Sequence, residues 1–487
     1  MMKINLLSIF ILVLAICSCD PEGWQYPEGV REDILAFEEN LTSSVQFKGD
    51  PVEKYTLGER MEKYNVPGIS IAVVKDGKIY WALGYGIANT ETGAYVDENT
   101  LFQAGSISKP IAALAALKLV QEGKMDLDEN INSYLSSWKL TENEFTAQQP
   151  VTLRGLLTHS AGVSVHGFPG YSQEDDFPTD IQVLNGKGNT DPILVDTTPR
   201  TFFRYSGGGY TIMERAVEDV SGQSFTNYLA ENVLEPLQMD RSTYQQPIDK
   251  NSWENISAAY RGDGSLYEGW WHNYPEQAAA GLWTTPTDLA KYILAMQANI
   301  QKDEANVLNK STTEMMFTQD KFGYGLGPGM NHAGDSLMFG HGGKNAGFTN
   351  NLQAWVHRGD GLVVMTSADQ GGALIREVER AIGEVYGWSI NQPRELEALE
   401  VPEDYLEQFL GKYTWPEASL DVVLVIKKGI LHVDVPSQGG SYPLRFIDSL
   451  ETVDLIDFDR ISFQKDESGK VVSVTQNGRY RFDRVPE

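Results

Sequence analysis

Phe102-Gln103-Ala104-Gly105-Ser106-Ile107-Ser108-Lys109-Pro110 runs directly into Ile111-Ala112-Ala113-Leu114-Ala115-Ala116-Leu117-Lys118-Leu119-Val120, and the fold and chemistry of the chain turn on this stretch. On a helix, positions i and i+3 share a face, so the Ser106 hydroxyl and the Lys109 amine come within hydrogen-bonding reach. A free serine hydroxyl is a weak nucleophile, and a lysine takes its proton only if burial or a neighbouring cation lowers the amine pKa. The residues after Lys109 are too apolar all round for a surface helix and suit a buried one. Gly105 presents no side chain to crowd a substrate, and Pro110 falls near the first turn, where a helix tolerates proline best. The same Ser-x-x-Lys spacing recurs at Ser136 to Lys139 and Ser462 to Lys465 without such a context.

Two further stretches reinforce the first. Arg204-Tyr205-Ser206-Gly207-Gly208-Gly209-Tyr210 reads as a flexible turn presenting a tyrosine, and Phe339-Gly340-His341-Gly342-Gly343-Lys344-Asn345 as a glycine-rich strand whose edge accepts a ligand. Three such boxes in this order are far more specific than one. Upstream, Gly68 to Val74 and Ile79 to Leu83 flank Asp76-Gly77, the signature of a hairpin. Helices are predicted around 52 to 64, 108 to 123, 153 to 158 and 209 to 220, and a closing helix carries Leu374, Val378, Ile382 and Val385 along one face. Segments 336 to 339, 351 to 357 and 362 to 367 read as strands. Strands at both ends with helices between them predict an α/β catalytic domain whose sheet is assembled from distant parts of the chain. The Gly-, Pro- and Asp-rich stretch from about 164 to 200 is long enough for a lid or substrate rim.

With these boxes the chain resembles the class C β-lactamase and penicillin-binding-protein superfamily of serine hydrolases, which also holds esterases, D-aminopeptidases and D-Ala-D-Ala carboxypeptidases. The resemblance covers roughly residues 50 to 390 and extends to Leu156-Leu157-Thr158-His159-Ser160-Ala161-Gly162 and Ala280-Gly281-Leu282-Trp283-Thr284-Thr285-Pro286. It implies an α+β fold, an antiparallel sheet flanked by helices with a helical subdomain. It also implies that Ser106 attacks a carbonyl, Lys109 helps remove its proton and Tyr205 shuttles a proton to the leaving group, with no metal or other cofactor. An oxyanion hole is implied at the backbone N–H groups of Ser106 and Lys344, with Gly342 and Gly343 admitting a substrate backbone. A tyrosine serves as a base only if a cation stabilises its phenolate, and Lys109 is the candidate.

Two departures bear on substrate. Gly207 stands where the β-lactamases carry asparagine, and His341 where they usually carry lysine. A histidine is partly charged near neutral pH, so carboxylate recognition is expected to be weaker and pH-dependent. Both changes favour an esterase or a peptidase acting on D-amino-acid or other small amides over a true β-lactamase. A non-catalytic lipoprotein that binds penicillin or peptidoglycan is the alternative from another class. Other candidates reduce to structure: His159, His166, Asp175 and Asp176 fit no common zinc spacing, no Gly-x-Ser-x-Gly elbow occurs, and Trp270, Trp271 and Trp283 line the cleft or fill the core.

The 487 residues exceed what one hydrophobic core usually serves. A net charge of −28 opposes nucleic acid and anionic membrane surfaces. A positive start and the apolar run Leu6 to Ile16 predict a signal peptide over 1–18. Ile16-Cys17-Ser18-Cys19 resembles a bacterial lipobox, which implies lipid attachment at Cys19 and membrane contact only through that anchor. The expected location is the cell envelope, as an exported lipoprotein acting on a small ester, amide or peptide. Residues 19–50 are expected to be a tether, 51–390 the hydrolase domain and 391–402 a linker. Residues 403–487 read as a small β-barrel or sandwich that resembles the lipocalin-like β-domains attached to many proteins of this superfamily.

Overall fold

The computed structural model describes residues 26–415, 420–437, 440–456 and 458–486; the expected signal peptide and Cys19 lie outside them. The chain divides into two compact units, one of residues up to 41 together with 55–390, the other of 42–54 together with 391–487.

The first unit is built on a seven-stranded antiparallel sheet. Its strands are β1 (Gly68–Lys75), β2 (Lys78–Asn89), β3 (Ala94–Tyr95), β4 (Gly329–Ala333), β5 (Ser336–Asn345), β6 (Phe348–Trp355) and β7 (Gly361–Thr366). They lie in the order β3-β2-β1-β7-β6-β5-β4. The sheet therefore draws on both ends of the unit, as the sequence predicts: Val74 of β1 pairs with Gly361 of β7, and Ile69 with Thr366. In β1 every residue but Lys75 is buried, because both faces are covered. Ala72 and Val74 point into one core, while Ile69, Ile71 and Val73 point into the other, the two-residue alternation of a strand between two layers.

The principal helices are α1 (Glu28–Glu38), α2 (Ser108–Gln121), α3 (Gly207–Ser221), α4 (Pro286–Gln301) and α5 (Gly371–Tyr386), of which α4 and α5 pack directly against the sheet. The face shared by α1 and α5 joins Val30, Ile34 and Phe37 with Leu374, Val378 and Ile382. The other core takes the helical subdomain, with α2 at its centre, buried continuously from Ser108 to Leu117. A helix apolar on every side has no surface to turn to water, so this one is enclosed. The helix expected from about residue 52 begins at Leu57, because Thr56 and Glu59 form a reciprocal capping box.

Two expectations about connecting segments are corrected. The stretch read as a tether contains α1, whose Val30, Ile34 and Phe37 follow helical spacing; Phe37 stacks on Trp81 with ring centroids 5.4 Å apart. Burying one such side chain contributes about 1.5–3 kcal/mol, enough to hold a polar helix to the sheet. The stretch read as a linker contains a strand, Arg394–Leu396, which pairs in parallel with Val45–Phe47, and these two strands belong to the second unit.

In that unit, eight antiparallel strands between Gly411 and Arg484 form a closed barrel; the first, Gly411–Trp415, pairs with the last, Tyr480–Arg484. The alternative of barrel or sandwich resolves to a barrel, and closure leaves no unpaired edge. Phe409, Tyr413, Phe446 and Phe463 fill its interior. Among the described residues, no helix is long and apolar enough to cross a membrane.

Candidate active site

After Phe102–Gln103, which pairs with Trp283–Thr284, the chain makes a 3-10 turn at Gly105–Ile107 and runs into α2. Gly105 has φ +56, and a Cβ built there would lie 2.5 Å from the Lys344 backbone N; a Cβ on Gly343 would lie 2.0 Å from the Ala104 carbonyl oxygen. These two glycines allow the turn that carries Ser106 to lie against β5, backbone to backbone. Side chains then pin the turn. Asn345 Nδ2 donates to Gln103 Oε1 at 2.8 Å, Asn350 Nδ2 to the Gln103 carbonyl at 2.8 Å, and the Leu282 N–H to Ser108 Oγ at 3.0 Å.

Lys109 Nζ lies 3.0 Å from Ser106 Oγ and donates to the Ala279 carbonyl at 2.8 Å. The residue is 2% exposed, and no carboxylate forms an ion pair with it among the described residues. Burial alone lowers its amine from 10.5 to about 7, so near neutrality about half the molecules hold a free amine facing the Ser106 hydroxyl. The rings of Tyr205 and Tyr210 approach the amine at 5.0 and 5.6 Å.

Tyr205 immediately precedes α3. Ser206 caps that helix, its hydroxyl accepting from the Gly209 N–H at 3.0 Å and donating to the Ser164 carbonyl at 2.7 Å. Burial pushes the Tyr205 phenol well above its ordinary range, outweighing the lowering by the nearby Ser106 hydroxyl. The expectation that Lys109 stabilises a phenolate is thereby corrected. The same apolar enclosure that favours the neutral amine favours the neutral phenol.

His341 also differs from expectation. It is 8% exposed, its Nδ1 lies 2.6 Å from the Gly342 carbonyl, and burial with nearby Lys109 lowers it to about 4. A carbonyl only accepts, so Nδ1 carries the hydrogen and the ring is neutral at physiological pH instead of partly charged. Gly207 opens α3 where a Cβ would meet Phe168 Cε2 at 2.9 Å and the His166 carbonyl oxygen at 3.2 Å, so an asparagine there would require the Phe168 ring to shift. The Gly342 position is open, with nothing nearer than 3.9 Å to a built Cβ. Lys344 turns its amine outward to Asp369 at 3.0 Å, leaving its backbone N–H beside the Ser106 turn.

No group of acidic, histidine or cysteine side chains able to hold a metal occurs among the described residues. His166 lies 5.0 Å from the Tyr205 ring, and Asp175 accepts the Ser172 N–H at 2.7 Å. Trp271 and Trp283 are core, packed edge to face at 5.0 Å, whereas Trp270 is half-buried and donates to Glu91 at 2.8 Å. The segment from 164 to 200 forms the wall of a groove of about 1010 Å³ lined by residues that include His166, Asn189, Asp191 and Asp196.

Several neighbours escaped sequence reasoning. Tyr324 and Phe203 pack at 5.3 Å beside the site, and Arg200 makes a two-pronged pair with Asp320 at 2.6 and 3.0 Å. Phe202-Phe203 lies beside the tyrosine box and was a usable signal. Tyr324 sits among glycines that read only as a turn.

Residues 55–386 match the family profile described as Beta-lactamase. Protein flp of Staphylococcus aureus (strain MW2) is 26% identical over 264 residues, covering 52% of this chain and 49% of that protein. Teichoic acid D-alanine hydrolase of Staphylococcus aureus is 24% identical over 230 residues, covering 47% and 54%. The chain thus spans about half the length of the curated relatives it matches. Among solved structures, the octameric penicillin-binding protein homologue from Pyrococcus abyssi superposes with a TM-score of 0.61 at 24% identity, over 88% of this chain and 98% of that one. SurE with D-Leu superposes at 0.54 with 20% identity, over 88% and 97%. At these identities the likeness of structure speaks to the fold.

Proposed function

This chain belongs to the Beta-lactamase family, and from that premise we propose that it is a serine hydrolase that forms an acyl-enzyme on Ser106. The observation that carries the reading is the buried Lys109 amine, 3.0 Å from Ser106 Oγ and lowered to about 7. In the proposed reaction the neutral amine takes the Ser106 proton as Oγ attacks the substrate carbonyl. The oxyanion is held by the backbone N–H groups of Ser106 and Lys344. The Tyr205 hydroxyl gives its proton to the departing oxygen or nitrogen and is reprotonated by the Lys109 ammonium, which faces its ring at 5.0 Å. Water then enters, Lys109 takes its proton as the oxygen adds to the acyl carbon, and the acid leaves as the Lys109 ammonium returns that proton to the Ser106 oxygen.

For substrate we propose an ester or amide whose leaving group is large and polar, with a D-alanyl ester as the class to try first. One relative is named a teichoic acid D-alanine hydrolase. The groove beside His166 gives room for a bulky leaving group, and its Asp191 suits a cationic or hydroxylated one. A neutral His341 offers no cation to a carboxylate, which speaks against a true β-lactamase. We place the activity outside the cytoplasm, as a lipid-anchored protein, on the strength of the Leu6 to Cys19 stretch.

The test compares the protein with its Ser106→Ala variant on p-nitrophenyl butyrate and on a D-alanyl ester, with a fluorophosphonate as covalent trap. Turnover lost in the variant, together with a mass increase on the Ser106 peptide of the parent, supports the reading. Equal turnover in both proteins, or no labelling, overturns it.

A further inference from the structure

We propose that His159 is the positioning residue for Tyr205, an inference that rests on the serine hydrolase reading above. Three contacts converge. The His159 carbonyl accepts the Arg204 N–H at 2.8 Å, and its Nδ1 accepts the Ser206 N–H at 3.1 Å. The imidazole lies against the ring between them, with centroids 4.1 Å apart and planes tilted by 30°. One residue thus holds the backbone on both sides of Tyr205 and the face of its side chain.

The grip fixes the tautomer. A backbone N–H only donates, so Nδ1 is the lone-pair nitrogen and the hydrogen sits on Nε2, which is buried without a partner. Phe203, Tyr210 and Tyr324 enclose the rest of the ring at 6.0, 5.3 and 5.1 Å. His159 itself is 1% exposed and stands at φ +54, a left-handed conformation uncommon outside glycine but favoured for histidine over most side chains. This backbone turn directs both its carbonyl and its ring nitrogen at the segment carrying Tyr205. Among the described residues no hydrogen bond joins His159 to Ser106 or Lys109, and its ring is neutral, so its effect reaches the reaction through the aim of the Tyr205 hydroxyl.

Kinetics and amide exchange test this separately. His159→Asn keeps an acceptor near the Nδ1 position and tolerates a left-handed backbone, but loses the ring. The proton given by Tyr205 matters for an alkoxide leaving group and little for p-nitrophenolate, which departs without one. Turnover of an alkyl ester is therefore expected to fall roughly 10- to 100-fold in the variant, and turnover of the p-nitrophenyl ester by less than about threefold. In a Tyr205→Phe background the same substitution is expected to change alkyl-ester turnover by less than about twofold, because the hydroxyl it positions is gone. Equal losses on both esters, or losses that multiply in the double variant, overturn the proposal.

The second measurement needs no turnover. In His159→Ala the Ser206 amide is expected to exchange its hydrogen at least tenfold faster, while the Arg204 amide, bound to the backbone carbonyl, keeps its protection. Unchanged exchange at Ser206 overturns the proposal. Failure of the hydrolase reading shows up differently, as an active Ser106→Ala variant, and leaves the exchange result to be judged by itself.

Discussion

Replacing Lys109 with methionine removes one ionisation from the interior, and the structure sets how stability should respond to pH. In the folded protein the amine titrates at about 7 instead of 10.5, because burial withholds water from the ammonium. Between those two values the unfolded chain holds a proton that the folded chain lacks, so stability of the parent protein rises with pH through the window, by about 1.4 kcal/mol per unit. Below 7 both forms are protonated and the full penalty of about 5 kcal/mol applies. Lys109→Met carries no such dependence. Its stability advantage over the parent is therefore expected to shrink by about 2.5 kcal/mol between pH 7.5 and 9.5. Other groups do not obscure this. His341 and His159 are lowered and titrate below the window, Tyr205 is raised and titrates above it, and Glu276, raised to about 8, is common to both proteins. Urea unfolding of the two proteins at pH 7.5, 8.5 and 9.5, followed by tryptophan fluorescence, measures the difference. Parallel stability profiles would refute a neutral Lys109 and with it the identity of the base.

The same titration should appear in catalysis: kcat/KM is expected to fall tenfold per unit below pH 7 and to reach about 1% of its plateau at pH 5, since only the free amine accepts the Ser106 proton; a pH-rate profile flat from 5 to 8 would contradict it. Gly343→Ala drives a Cβ to 2.0 Å from the Ala104 carbonyl oxygen, whereas Gly342→Ala meets nothing nearer than 3.9 Å. Turnover should drop about 10²-fold in the first, the scale of one lost oxyanion donor, and less than about threefold in the second. Glu276 is fully buried with neither carboxylate oxygen partnered, and burial raises it to about 8. Here the folded chain holds the extra proton, so stability falls as pH rises from 4.5 to 8, and Glu276→Gln is expected to remove that fall of about 1.4 kcal/mol per unit, as measured by chemical denaturation.

The layers of the catalytic unit were legible because its strands and buried helices announce themselves by period: Gly68 to Val74, the α2 run and the Leu374 to Val385 face stand where the pattern predicts. Helix α1 escaped because Glu, Asp and Arg outnumber its three buried side chains and mask their spacing. The strand at Arg394–Leu396 escaped because a three-residue strand is too short to show alternation and its partner lies at Val45–Phe47. Within the site, the pairing of Ser106 with Lys109 follows from helical spacing alone. The protonation states did not follow, since they depend on how completely distant segments exclude water. For that reason the sequence alone leaves His341 partly charged and the phenol of Tyr205 ionisable. The grip of His159 on Tyr205 joins residues whose distance in space no spacing rule conveys.

The pairing of β1 with β7 also governs the order in which the protein can form. These two strands lie side by side near the middle of the sheet, yet one is synthesised near the start of the unit and the other near its end. Until Gly361 to Thr366 has emerged, β1 has an unpaired edge and the core around α2 lacks Val363 and Met365, so the nascent chain carries an adhesive strand and a largely apolar helix together. Contacts between ends so far apart make for slow, late closure, and a chain cut short before β7 would be a species prone to association instead of a smaller version of the same fold.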